Sequence, residues 1–215
     1  MTSITRQVWE ILDSDITIRK DLERGIINVS ALSQYLLDTH QISGSLDSVI
    51  SAIRRYKSDE TVQDDYKRIR QALKEAVIST KTSISLITLK NTSNTYKYIG
   101  RIMQDDDFLK NEVFRLLKRR HDVQIVVDRD SMQKAKGYFP QTAVEQIEHN
   151  LVEISCTLTK HGWQTKGVLS RVANELATQD INIELTFSLY PTISIFIREK
   201  DLVRAHESLL RISGR

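Results

Sequence analysis

The sequence predicts an α+β protein, with an all-helical amino-terminal part followed by two successive α/β units. Three observations predict it. Between Ile4 and Ile53 apolar residues recur at helical spacing only. From residue 80 onward, period-two apolar runs alternate with helical stripes. The pattern over 151–215 also repeats the pattern over 80–150.

The elements follow in order. Ile4, Val8, Ile11 and Leu12 form a first helical stripe that ends at Asp13-Ser14-Asp15. A short second element, 17–24, stops at Gly25, as helices commonly do. Asn28 or Ser30 can cap a third helix carrying Leu32, Leu36 and Leu37. The stretch 41–45 breaks the pattern, and Ser45 or Asp47 starts a fourth helix. There Leu46, Val49, Ile50 and Ile53 sit at i, i+3, i+4 and i+7, followed by Arg54, Arg55 and Lys57.

A helix, a short glycine-containing turn and a helix with a basic end is the outline of a helix-turn-helix unit. In such a unit Ser45, Asp47, Ser48 and Ser51 face the DNA groove, while Arg54, Arg55 and Lys57 meet phosphates. Charge argues against it: residues 1–57 hold seven Lys/Arg and seven Asp/Glu. Binding to DNA draws much of its affinity from phosphates, so zero net charge is poor support. A helical domain for dimerisation or for a protein partner is the competing reading. Residues 58–79 read as a connector helix, with Val62, Tyr66, Ile69 and Leu73 on one face.

The last unit is the more explicit of the two. Ile154 to Leu158 reads as a strand, and the chain breaks over 161–167. Val168, Leu169, Val172 and Leu176 then mark a helix. Ile181, Ile183, Leu185 and Phe187 alternate as a second strand, Tyr190-Pro191 turns the chain, and Ile193, Ile195 and Ile197 alternate again. Leu202, Ala205, Leu209 and Ile212 close with a helical stripe. No fourth strand is visible for this copy. A single shift of seventy residues lays Ile84-Ser85-Leu86 on Ile154-Ser155-Cys156, and Val123, Ile125 and Val127 on Ile193, Ile195 and Ile197.

With Gly167-Val168-Leu169 opening the helix and Asp180-Ile181-Asn182-Ile183 entering the next strand, this order resembles the ACT domain. It is most similar to the paired regulatory units of aspartokinases. The resemblance implies two ferredoxin-like units of βαββαβ order and a small-molecule effector, an amino acid. It also implies a ligand location at the loop after the first strand and the start of the second, often shared across two ACT units. Lys166 departs from the family, which often has proline there. The expected domains are therefore 1–57 helical, 58–79 connector, 80–150 first ACT-like unit and 151–215 second.

The second copy carries Gly162 and Gly167 in its loop, where the first has Asn91-Thr92-Ser93-Asn94-Thr95. Glycine lets backbone approach a ligand, so the second loop is the expected site. Gly162, Thr165, Lys166, Gly167 and Val168 would receive a carboxylate at the positive end of the helix, with Thr165 as its cap. Asp180 and Asn182 would accept from the ammonium group. The structural alternative stays open: Gly162 turns the chain and Gly167 lets helix and sheet pack.

Composition sets bounds. The chain has 215 residues, 40% of them hydrophobic and 27% charged, with net charge +3. That charge is too small to imply nucleic-acid binding by itself. The basic cluster Lys118-Arg119-Arg120-His121 reads as solvated charge at a hairpin tip. The single cysteine, Cys156, reads as a small core residue and fits a reducing cytoplasm. No run approaches membrane-spanning length, and the first residues show no signal-peptide pattern. His40, His121, His149, His161 and His206 are scattered, and Asp105-Asp106-Asp107 reads as a solvated turn. No phosphate loop, metal spacing or nucleophile elbow appears. The expectation is a non-enzymatic cytoplasmic regulator without a cofactor, homodimeric partly through its ACT units, with the connector helix adding a second contact. The alternative is an interaction subunit of a metabolic enzyme.

Overall fold

The computed structural model describes residues 3–56, 62–110 and 113–214. The chain forms two compact units, Met1–Arg68 and Ile69–Arg215.

The first unit contains α1 (Ile4–Ser14), α2 (Ile16–Glu23), α3 (Val29–His40) and α4 (Leu46–Arg54). Each helix starts where a short polar side chain can accept an otherwise unpaired N–H: Ser3, Asp15, Asn28 and Ser45. Val8, Leu12, Leu32, Leu36, Val49, Ala52 and Ile53 fill the core between them. The Trp9 indole donates to the Ala52 carbonyl at 3.0 Å, fixing α1 against α4. Gly44 lies in the α3–α4 turn, where an added Cβ would come within 2.9 Å of the Ile4 side chain. One expected core position is wrong: Leu46, in the first turn of α4, is 38% exposed.

Helix α5 (Val62–Glu75) crosses from one unit to the other. The first connector residues, 58–61, lie outside the described residues. The helix carries the whole apolar stripe and stops at Glu75, and Val77 already enters a strand, short of the expected connector end at residue 79. Tyr66 of that stripe is 58% exposed, whereas Ile69 and Leu73 are buried, joined by Ala72 and Ala76.

The second unit is a six-stranded antiparallel sheet in the order β2-β3-β1-β4-β6-β5. Its strands are β1 (Val77–Lys90), β2 (Arg115–Lys118), β3 (Asp122–Asp128), β4 (Val144–Thr157), β5 (Leu185–Leu189) and β6 (Thr192–Arg198). Helices α6 (Ser93–Ile102), α7 (Asp106–Leu109) and α8 (Arg129–Tyr138) belong to the first half. Helices α9 (Lys160–Gln164), α10 (Val168–Thr178) and α11 (Leu202–Ser213) belong to the second. Alternation along the strands puts two helix-covered cores on one sheet face. Ile87, Leu89, Val123, Ile125 and Val127 pack with α6 and α8. Val152, Ile154, Ile193, Ile195 and Ile197 pack with α5, α10 and α11. The opposite face buries Ile84, Leu86, Val126, Leu151 and Phe196 beneath Val113.

The missing fourth strand is present, supplied from before the first half. Strands β1 and β4 are each fourteen residues long and serve both halves. The end of β1 pairs with β3, while its beginning, 77–81, pairs with β4 residues 153–157. On its other side that part of β4 pairs with β6. Each half therefore has the strand order 4-1-3-2, the two nested through shared strands. At the crossover Ser83 and Asn150 adopt φ of 62° and 58°, and the β1–β4 register shifts there. Such bulges return the side chains beyond them to the face they need.

Two expectations change in detail. Ile125 pairs with Ile87 as Ile195 pairs with Ile154. The hairpin strands are thus seventy residues apart and the first strands sixty-seven, so the repeat is not ungapped. The second strand of the last half also begins at Leu185, not Ile181. Ile181 and Ile183 pack toward the helices, whereas Leu185 and Phe187 pack on the other face. Period-two spacing persisted through a change of face. Cys156 is buried in β4, as expected.

Candidate effector site

The loop after β4 is built around backbone rather than side chains. Thr159 caps the short helix α9, its hydroxyl accepting from the Gly162 N–H at 3.1 Å. The Thr165 hydroxyl donates back to the His161 carbonyl at 3.0 Å. It therefore does not cap α10. That helix starts at Gly167, which has φ 86° and offers no side-chain cap. A left-handed residue there strongly favours glycine.

Helix α5 lies against this loop. A Cβ added to Gly162 would stand 3.3 Å from the Ala72 Cβ, and one on Gly167 would stand 3.0 Å from the Ile69 Cδ1. The Thr159 hydroxyl also donates to Glu75 at 3.5 Å, and Gln71 donates to the same carboxylate. Both glycines thus have a packing role. Ile69, Ala72 and Glu75 were invisible as site residues, because a helical stripe does not say which loop it will meet.

The remaining candidates separate. Val168 is buried in the core, leaving only its backbone to face the loop, and Lys166 is exposed. Asp180, with φ 56°, and Asn182 are both exposed and follow the other end of α10. Eleven helical residues span about 16 Å at 1.5 Å each. One amino acid cannot touch Gly167 and Asn182 of the same unit. The structure brings Gly162, Thr165 and Gly167 together and leaves Asp180 and Asn182 apart from them.

The segment before β5 has a different role. Arg198 donates to Glu184 and to Glu148 at 2.7 Å each. Its guanidinium is held above its ordinary pKa, chiefly by the Glu184 hydrogen bond. Glu148 lies on the first-half stretch of β4, so this cation ties the two halves together. Arg115 does the same on β2, approaching the buried Glu153 carboxylate at 3.6 Å.

In the helical unit, Ser45 and Ser48 are engaged at the start of α4: Ser45 caps it, and the Ser48 hydroxyl donates to the Ser45 carbonyl. Arg54 is exposed. Arg55 is exposed too, donating to the Ser51 carbonyl and the Thr5 hydroxyl. Lys57 lies outside the described residues. Among the described residues no cluster of three His, Cys, Asp or Glu could hold a metal ion. No described helix is long and apolar enough to cross a membrane.

No protein-family profile matches the chain, and no curated protein matches it. Solved structures do. The regulatory subunit of aspartate kinase from Thermus thermophilus is similar at TM-score 0.53 and 12% identity, over 64% of this chain and 98% of that one. The corresponding subunit from Thermus flavus gives 0.51 and 14%, over 63% and 95%. Clostridium acetobutylicum aspartate kinase gives 0.50 and 14%, over 63% of this chain but 34% of the kinase. This chain thus spans about a third of that enzyme. At these identities the likeness is one of fold: the chain shares an α+β fold with aspartate kinase regulatory subunits.

Proposed function

We propose that the chain is a cytoplasmic, homodimeric regulatory protein that senses an amino acid through its paired ACT-type halves. The reading is regulatory rather than catalytic. The observation that carries it is the nested pair of 4-1-3-2 sheets sharing β1 and β4, in a chain similar in fold to an aspartate kinase regulatory subunit. The Clostridium kinase is described as allosteric. Transfer from fold to function is an analogy, so the site must carry the chemistry.

That chemistry centres on the loop 159–167. Gly167 leaves the first N–H groups of α10 without a side-chain acceptor, and the positive helix end suits a carboxylate. Glu75, within 3.5 Å of the Thr159 hydroxyl, is a carboxylate at this loop that can accept from an ammonium group. Asp180 and Asn182 contribute only in a site shared with a second ACT unit. Because α5 rests on this loop, a ligand that favours one placement of α5 shifts the population of the whole device. The test is binding calorimetry with the stabilising amino acid, comparing the parent with Glu75→Gln. Loss of affinity supports the site, and equal affinity removes Glu75 from it.

The helical unit would be the output. A second reading, transcriptional regulation, is favoured by one observation: α3 and α4 are joined by a short turn, and α4 ends in exposed Arg54 and Arg55. The alternative output is a protein partner, as in a regulatory subunit of a metabolic enzyme.

A further inference from the structure

Positive charge is unevenly placed along the chain. Residues 90–97 and 118–122 hold five Lys/Arg and one carboxylate, Asp122. The whole chain nets +3, so all the other residues together net −1. The two stretches meet at one end of the first half. Lys90 stands opposite Asp122 in the β1–β3 register. The Asn91 amide donates to the Arg119 and Arg120 carbonyls at 3.2 and 3.1 Å, fastening the β2–β3 hairpin tip to the loop before α6. The Arg119 N–H closes that tip on the Asp122 carbonyl at 2.8 Å.

The carboxylate is already engaged: the Arg119 guanidinium makes two hydrogen bonds of 2.8 Å to Asp122. Lys90, Lys97, Lys118 and Arg120 are exposed, and among the described residues none of them has a carboxylate partner. In the second half Arg171, Arg198, Arg204 and Arg211 all have one. Glu145 stands on β4, across β1 from the hairpin. Helix α6 starts at this end with no acidic residue in its first turn, adding the positive end of its dipole. Within this cationic surface lies an aromatic ring. Tyr96 is 39% exposed, its hydroxyl donates to the Asn91 side-chain oxygen at 2.8 Å, and the Lys118 ammonium lies 5.8 Å from the ring centroid. Both contacts fix the ring before any ligand arrives.

Unpaired cations track a phosphate backbone, and a fixed exposed ring gives a base a face to stack on. That combination binds single strands without sequence preference. An acidic peptide would use the cations but not the ring. We propose that this end of the first half binds single-stranded nucleic acid, with Lys90, Lys97, Lys118 and Arg120 on phosphates and Tyr96 against a base. The surface uses neither the loop 159–167 nor Arg54 and Arg55, so it does not rest on the proposed function.

The test is fluorescence anisotropy of the full chain with labelled single-stranded DNA and RNA of about twenty nucleotides at about 50 mM salt. The expected result is micromolar binding to at least one of the two, with a log–log salt slope of about −2 to −3 from the four cations. Arg120→Glu should weaken it at least about tenfold, whereas Lys200→Glu, the same charge change at an exposed position elsewhere, should move it less than about twofold. Tyr96→Leu should weaken it at least about fivefold, while Tyr96→Phe, which keeps the ring, should bind like the parent. Absence of binding at about 100 µM protein overturns the proposal, as do equal losses in Arg120→Glu and Lys200→Glu. Tyr96→Leu binding as tightly as the parent overturns the single-strand assignment. Displacement of the nucleic acid by polyglutamate at equal charge makes an acidic protein the partner instead. Loss in Arg54→Ala with Arg55→Ala, but not in Arg120→Glu, moves binding to the helical unit and also overturns the proposal.

Discussion

Ile69 stands over Gly167, its Cδ1 3.0 Å from where a Cβ would lie on that glycine. The contact joins the helix that leads out of the amino-terminal unit to the first turn of α10. Gly167→Ala would add both a left-handed strain and this clash. Its cost should be about 1–3 kcal/mol, read from urea unfolding. Adding Ile69→Ala should recover the steric part, so the double variant should lose less than the sum of the singles. Strict additivity would mean that the two residues do not meet.

Ser83 and Asn150 supply a second test, because strand propensity and the observed backbone predict opposite signs. Valine normally favours strands. At φ near 60° it should instead destabilise by about 1–2 kcal/mol at either position, while Ser83→Gly should cost nothing. A stabilising Ser83→Val would mean that β1 runs straight through the crossover and that the strands are not shared as described.

Arg198 links Glu184 to Glu148, and its side chain is 39% exposed. Solvent screens such a pair, so Arg198→Gln should cost only about 1 kcal/mol, and less in high salt. Equal losses at low and high salt would show that packing, not charge, holds the halves there.

For the helical unit, Arg54→Ala with Arg55→Ala should weaken DNA retention for all sequences and lower its salt slope. Failure of the parent to be retained at low salt would remove the transcriptional reading and leave the protein-partner output.

Much of this fold could be read from residue spacing. Helix starts at Ser3, Asp15, Asn28 and Ser45 follow from short polar side chains placed before apolar stripes. The alternation at Val123–Val127 and Ile193–Ile197 marked the central hairpin strands correctly. The first half of β1 carries no strand signal, because Ser79-Thr80-Lys81-Thr82-Ser83 has no apolar alternation. It pairs on one side of β4 and stays largely exposed. The fourth strand of the second half was hidden with it. Asp180 and Asn182 lie a helix length from Gly167, a separation that the stripe from Val168 to Leu176 already implies. Nothing local to Gly162 and Gly167 shows that α5 packs on them, since a contact ninety residues away in the chain leaves no mark in residue spacing.

In the proposed function an amino acid binds the loop after β4 and stabilises the native state. Thermal unfolding of the full chain with each of the twenty amino acids in turn tests this most directly. A ligand at about a hundred times its dissociation constant adds about 2.7 kcal/mol to the native state. One amino acid, or a chemically related few, should raise the midpoint by several degrees, and Glu75→Gln should diminish the rise. If none of the twenty shifts the midpoint at millimolar concentration, the chain is not an amino-acid sensor.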